Sequence, residues 1–419
     1  MLAGDVARLG AHDWPALAAH RQAAAVVRST WAGGVRVWVV LRHREAREAL
    51  KDPRLSKDAT LLHQVMSAQL AASGLIDATA DTTPDPLLGN NMAFSDGEAH
   101  QRLRSVVAEH VTTGRVADLR AGIDRISASL VAQLPRDTAV DLIDSFAFPL
   151  PIGVMSELLG VPGEDRWQLR EWTAGLIADD QAVAGRASAA MRAYVDDLLA
   201  SKRKRPDTDL LSYLVQGQLD GRLNAEELVA TVFLLVVAGH ETTTNLIANA
   251  ARWLLDDPSA WAAIHRDPSS IPTVIEEVLR FDPPVGLTTH RVTTEPVVYG
   301  GVEIDAGEVV LISIASANRD EAVFSQPHRL NLSAPGRGHL AFGHGLHYCP
   351  GARLARLETE IALRDLTAAF PTARLAVPPE QLERATHSAI NSGYVRLPVI
   401  LTSARPADVS PWPPPSPPS

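Results

Sequence analysis

Cys349 stands in the segment Phe342-Gly343-His344-Gly345-Leu346-His347-Tyr348-Cys349-Pro350-Gly351 and is the only cysteine of the chain. The glycines at 343, 345 and 351 permit backbone conformations closed to other residues. A loop built on them can fold tightly around the sulfur and aim amide N–H groups at it. Such donors, with the positive end of a helix starting near Gly351, favour thiolate over thiol. A sulfur held anionic and tuned by nearby donors is what a thiolate-ligated metal requires. The plainer reading, a lone buried cysteine in a glycine-rich turn, suits an arbitrary single cysteine. Here the glycines, Phe342 and His347 converge on the sulfur and count against it. Pro350 has no N–H and cannot donate to the sulfur.

A second chemical run is Ala238-Gly239-His240-Glu241-Thr242-Thr243, set inside a helical stretch. Ala–Gly is a weak point in a bulky apolar helix. The hydroxyl of Thr242 can compete for a backbone carbonyl and open a groove, and an acid beside a hydroxyl can relay protons. Packing at small residues plus a surface glutamate is the alternative. A zinc-protease motif is excluded, because it needs histidine at position 244, where Thr244 stands. Glu277 and Arg280 share a helix face, as do His100 and Arg104. Taken singly, each reads as a solvated charge worth about 0–1 kcal/mol as a pair.

These residues need a scaffold. The chain has 419 residues, 46% hydrophobic and 21% charged, enough for a large core without covalent staples. With 49 acidic and 39 basic residues its net charge is −10, which argues against nucleic acid as a partner. A single cysteine rules out an internal disulfide framework and any multi-thiolate zinc or iron–sulfur site. The longest apolar stretch, 228–239, falls short of the about 20 residues that a membrane span requires, and no export signal is visible. A cytoplasmic enzyme is the expectation.

Residues 35–41 read as a strand, and the segment after it as a short helix ending near Pro53. Residues 59–91, rich in Ala, Thr and Asp, read as a long, partly ordered excursion of the kind that forms lids. From 96 to about 237 the pattern is mostly helical, broken at Pro135, Pro149, Pro162 and Pro206. Asn224 and Glu227 form a capping-box pattern that opens a helix running to about Asp256. Short strands follow Pro283, then a helix and a final strand. The plan is α+β and mostly helical, with one domain over 1–409 and a proline-rich, disordered tail over 410–419.

Phe342, Gly345, His347, Cys349 and Gly351 resemble the haem-binding signature of the cytochrome P450 family, Phe-x-x-Gly-x-His/Arg-x-Cys-x-Gly. The run from Ala238 to Thr242 resembles that family's distal-helix pattern, and His-x-x-x-Arg and Glu-x-x-Arg occur in the family's order. The likeness spans nearly the whole chain and is nearest to soluble, actinomycete-type bacterial members acting on natural products. It implies a cytochrome P450 fold, with haem b between a long distal helix and the cysteine loop. It implies Cys349 as the axial iron ligand, with Phe342, Gly343, Ala238, Gly239 and Gly351 around the ring. His100, Arg104, Arg291 and His347 would hold the haem propionates. Gly239 would leave room for dioxygen, and Glu241 and Thr242 would be the catalytic proton-delivery pair. Glu277, Arg280 and Arg329 would form a structural triad.

By the same matching, Leu88, Asn91, Met92, Leu234, Val237, Val285, Leu287, Thr288 and Ile390 would contact substrate. Dioxygen would be the co-substrate, and electrons would come from NAD(P)H through a ferredoxin and its reductase. Arg102, Arg353 and Arg356 would form the docking face. The implied activity is a monooxygenase hydroxylating or epoxidising a sizeable, mostly apolar small molecule such as a macrolide or other polyketide. Oxidative coupling or desaturation without oxygen insertion is one alternative, and a non-catalytic haem-based ligand sensor is another. The Glu241–Thr242 pair counts against the sensor. No nucleic acid and no membrane are expected as partners, and a monomer is the expected state.

Overall fold

The computed structural model describes residues 13–31, 34–76, 86–176, 181–333, 336–385 and 390–402. The proline-rich tail lies outside the described residues. Among the described residues there are ten short strands: β1 Val26–Thr30, β2 Arg36–Val40, β3 Leu55–Ser56, β4 Ala139–Asp141, β5 Arg291–Thr293, β6 Val297–Tyr299, β7 Val302–Ile304, β8 Val309–Ile312, β9 Arg374–Leu375 and β10 Pro398–Ile400. They form a five-stranded sheet in the order β1-β2-β8-β5-β3, a three-stranded sheet β4-β10-β9 and the hairpin β6-β7. The first sheet is mixed: β2 runs parallel to β8, and its other pairings are antiparallel. The strands are rich in Val and Ile, which suit a pleated, half-buried surface. Val37, Val39 and Leu311 sit in one apolar cluster, while Trp38, Val40, Val310 and Ile312 sit in another. Alternation of side chains across β2 and β8 thus feeds a cluster on each face of the sheet.

Helices make up most of the other described residues. The longest, Ala225–Asp256, spans 32 residues, about 48 Å at 1.5 Å per residue. Its start is the predicted capping box: Glu227 N–H donates to Asn224 Oδ1 at 2.8 Å, and Asn224 N–H donates to the Glu227 carboxylate at 2.9 Å. It ends at the residues before Pro258, as the sequence pattern requires. Most of it is buried in the main apolar cluster. Leu234, Leu235 and Val237 are only half-buried and Ala238 is exposed, although they lie at its centre. An apolar mid-helix face left open inside a core marks where a ligand-sized group belongs.

One expectation is corrected at 59–91. Residues Ala59–Ala72 form a helix rather than an irregular excursion, with the Asp58 carboxylate accepting from Leu61 N–H at its start. Its Ala, Leu, Gln and Met residues are strong helix formers. Strand β1 was not anticipated from its sequence; its pairing with β2 supplies the partner that a five-residue run needs. Among the described residues, no helix is long and apolar enough to cross a membrane.

Candidate active site around Cys349

The cysteine loop is closed by Cys349 N–H donating to Phe342 O at 2.9 Å. Gly345 has φ +79°, and a β-carbon there would lie 2.9 Å from Lys51 Cβ, so the loop is pressed against the residues after helix His43–Ala49. Helix Ala352–Ala369 starts directly beyond Gly351. Burial pushes the Cys349 thiol up. The Gly351 and Ala352 amides and the charges of Arg104 and Arg356 oppose that rise by favouring the thiolate. The group is therefore a half-buried thiol in a setting pre-arranged for negative charge, which a metal cation would complete. No cluster of three or more His, Cys, Asp or Glu side chains suited to a metal exists among the described residues.

Above the loop, His100 and Arg104 lie one turn apart on helix Gly97–Ala108. The His100 ring packs on His347, centroids 4.2 Å apart, and Arg104 Nη2 donates to Tyr348 O at 2.6 Å. Both ring nitrogens of His100 and the Nε of Arg291 are buried without a hydrogen-bond partner. Burial pushes His100 down to about 4 and Arg291 down to about 10. Buried donors of this kind are costly unless an acceptor meets them. His347 Nε2 lies 3.6 Å from Asp96 Oδ1. Burial alone would raise Asp96, but bonds from His347, Ser56 Oγ and Lys57 N–H outweigh it and hold the carboxylate at about 2.

In the long helix, Thr242 Oγ1 donates to Ala238 O at 3.1 Å, the back-bond expected at this break. Ala238 is exposed and Thr242 and Glu241 are half-buried, so this turn faces open space. Gly239 is different. A β-carbon there would lie 2.6 Å from Met155 Cε, so its missing side chain accommodates the crossing of helix Pro149–Leu159 and not a dioxygen pocket. His240, also buried, bonds the Val236 carbonyl through Nδ1 at 2.7 Å.

The Glu277–Arg280 pair is fully enclosed. Arg280 donates to Glu277 through Nε and Nη2 at 2.9 and 2.6 Å, to Asn318 O and Pro327 O through Nη1, and to Arg329 O through Nη2. Asn331 N–H donates to Glu277 Oε1 at 2.8 Å. Arg329 therefore joins this centre through its carbonyl oxygen, and its side chain is exposed, which corrects the guanidinium role expected of it. All five N–H donors of Arg280 are committed, and Glu277 accepts three bonds, two from Arg280 and one from Asn331 N–H.

Pairing of Val285 with Asn391, with Gly286 N–H donating to Ile390 O at 2.8 Å, joins two of the predicted wall segments. Val285 and Ile390 are half-buried, as are Leu234 and Val237. Leu287 is not a wall residue. It is 1% exposed in the cluster with Val37 and Leu311, because its pairing with Ser313 turns it into the sheet core. Met92 is buried in the main cluster. Asn91 is buried too, and its amide bonds Leu87 O and Ala93 N–H to shape a turn. Thr288 is half-buried and its hydroxyl accepts from Ile312 N–H at 3.1 Å. The Leu88 side chain lies outside the described residues.

Of the arginines expected to dock a partner, Arg353 is exposed. Arg102 is paired with Glu227. Arg356 is forked onto Glu276 at 2.5 and 3.0 Å and lies 4.4 Å over the Phe342 ring, so it braces the cysteine loop. Glu276, His339 and Asp96 had no signal in the sequence beyond ordinary surface charge.

The cytochrome P450 family model matches residues 180–386. Cytochrome P450 107B1 of Saccharopolyspora erythraea is 43% identical over 89% of this chain and 91% of its own length. Vitamin D(3) 25-hydroxylase of Pseudonocardia autotrophica is 42% identical over 87% of this chain and 88% of its own. The structure of the tirandamycin C-bound P450 monooxygenase TamI superposes with a TM-score of 0.86 and 37% identity, covering 95% of this chain and 99% of that one. With relatives this similar along almost the whole chain, this chain belongs to the cytochrome P450 family of monooxygenases.

Proposed function

We propose that this chain hydroxylates or epoxidises a sizeable, mostly apolar small molecule of the macrolide or polyketide type, using dioxygen and two electrons supplied from outside. The observation that carries this reading is the set of buried, unpartnered donors on His100 and Arg291 beside His347, which fits the carboxylates of a haem seated on Cys349. Bound there, haem iron supplies the oxidation, and the thiolate ligand pushes electron density that favours O–O cleavage. His100, Arg104, Arg291 and His347 hold the propionates. Glu241 and Thr242 move protons toward the reacting oxygen, Thr242 by exchanging its bond to Ala238 O for one to the incoming group. Leu234, Val237, Ala238, Val285 and Ile390 give an apolar wall that orients substrate and keeps water out. The vitamin D(3) hydroxylase and the tirandamycin C-bound relative support a bulky apolar ligand.

Electrons would come from NAD(P)H through a ferredoxin and its reductase. Their docking face would centre on Arg353 with the exposed Leu346 and Tyr348 of the cysteine loop. The chain would act as a cytoplasmic monomer built as one domain.

The test is turnover of spectrally selected ligands with surrogate ferredoxin and reductase, read by product mass. A gain of one oxygen supports hydroxylation or epoxidation. Loss of hydrogen or dimerisation would replace it with desaturation or coupling, and absence of turnover with every bound ligand with a sensor. Thr242→Ala should retain substrate binding while diverting most electrons to hydrogen peroxide. An unchanged peroxide yield would remove Thr242 from proton delivery.

A further inference from the structure

A groove of about 590 Å³ is lined by residues of neither the cysteine loop nor the substrate wall. It lies between helix Trp14–Ala23, the end of helix Ala225–Asp256 and the end of helix Ile271–Phe281. Its lining is mostly apolar and aromatic, with Trp14, Trp253, Phe281 and Leu330, and it carries the charges of Arg319 and Arg329. The Arg319 guanidinium stands 3.6 Å from the Trp14 ring centroid and 3.7 Å from that of Phe281, and donates through Nε and Nη2 to Phe281 O. Trp253 meets Phe281 edge-on with centroids 4.9 Å apart, and its indole N–H is committed to Asp282 Oδ2. Trp14, Trp253 and Leu330 are nevertheless only half-buried. Side chains held this firmly lose little entropy when a ligand covers them. Aromatic-lined grooves are where polyproline II segments dock, because the prolines lie on a backbone that is already ordered.

The sequence supplies such a segment. Residues 406–419 contain seven prolines, with Pro-x-x-Pro spacing at Pro411–Pro414, Pro414–Pro417 and Pro415–Pro418, and a tryptophan, Trp412. Asp408 is their only charged side chain, opposite in sign to the arginines of the groove. Residues 1–12, which adjoin Trp14, contain no proline and do not match that chemistry. The proline segment is also within reach. Thr402 Oγ1 donates to Thr372 O at 2.8 Å, and Trp261 Nε1 donates to Phe370 O at 2.8 Å. Trp261 lies on helix Pro258–Arg266, which begins two residues after the helix carrying Trp253 ends. This path of contacts sets Thr402 within about 40 Å of the groove. Pro418 is 16 residues beyond Thr402, about 50 Å of polyproline II.

The groove adjoins the Arg280 network. Phe281 follows Arg280, Arg319 follows Asn318, and Leu330 follows Arg329, so three lining residues are the direct neighbours of members of that network. We propose that Pro411–Pro418 docks in this groove of its own chain as a polyproline II strap and steadies the Arg280 network beside it. The inference does not depend on the substrate or the redox partner.

The experiment uses the haem-loaded full chain, the same chain cut after Thr402, and a fluorescent peptide of residues 406–419. The peptide should bind the shortened protein, and the full chain about tenfold more weakly, because a tethered strap competes at millimolar effective concentration. Leu330→Glu in the shortened protein should weaken binding about tenfold. A peptide carrying Pro411→Ala, Pro414→Ala and Pro417→Ala should not bind, which tests the chemistry even if Leu330→Glu does not fold. Shortening should lower the melting temperature by about 2 °C, and saturating peptide should restore it. Absence of peptide binding at millimolar concentration, or equal binding by the full and shortened chains, would overturn docking within the chain. Binding indifferent to Leu330→Glu would overturn the groove as the site, and equal binding of the alanine peptide would overturn polyproline recognition. An unchanged melting temperature would strike the steadying role. A dimer formed by the full chain and not by the shortened one would place the segment on a second copy and overturn the proposal. Peptide binding that appears only once residues 1–12 are removed would do the same by giving the groove to them.

Discussion

Two buried charged clusters in this molecule are built alike and finished differently. Around Arg280 every guanidinium N–H has an acceptor, and the Glu277 carboxylate is bridged by both Arg280 and the Asn331 amide. Around His100 and Arg291, donors are equally buried, but several have no acceptor. Satisfaction separates the two. A closed network spends its polar groups on its own chain and acts as a brace, while an open one keeps them for a ligand.

The largest effect expected from this contrast is at the brace. Glu277→Ala leaves the Arg280 charge enclosed without a carboxylate, at a cost of about 3–5 kcal/mol. Haem-free or aggregated protein should result, checked by soluble yield and thermal melting. A well-folded holoprotein would erase the distinction.

The cradle should respond in another way. Arg291→Gln should leave the thermal stability of haem-free protein unchanged or raised, because it removes an unpaired buried charge. It should weaken haem retention by about 1.5–3 kcal/mol, measured by haem transfer to an acceptor. Loss of the fold would instead make Arg291 a second brace.

A smaller effect concerns pH. His240 lies outside both clusters, and burial pushes it down to about 4 from an ordinary 6.5. Between those values the unfolded chain binds a proton that the folded one refuses, so this stabilising contribution is complete above about 6.5 and lost as pH falls to about 4. Melting temperature against pH should fall less steeply across that window in His240→Phe than in the parent. The smallest effect is expected at Arg329, whose exposed side chain takes no part in the brace; Arg329→Ala should change stability by no more than about 0.5 kcal/mol in thermal unfolding. A large loss would restore the guanidinium to the network.

Much of the site was legible as spacing. The cysteine loop, the His100–Arg104 and Glu277–Arg280 pairs and the capping box at Asn224 each lie within ten residues, and short-range geometry dictates what such neighbours can do. The helix at Ala59–Ala72 was missed because composition was weighed above its Asp58 cap. Leu287 and Met92 were placed in the pocket because an apolar residue near a site looks the same whether it faces ligand or core.

The amino-acid order by itself determined the thiol, its glycine frame, the acid–alcohol pair and the helix that carries it, since each depends on residues only a few positions apart. Tertiary structure alone decided that Arg356 braces Phe342, that Arg329 offers a carbonyl, that Gly239 admits Met155, and that Lys57 meets Thr289 and His290. Those contacts join residues 14 to 233 positions apart, all but one of them by more than 40, and what a buried donor finds opposite it is set by how the elements pack, not by its neighbours along the chain.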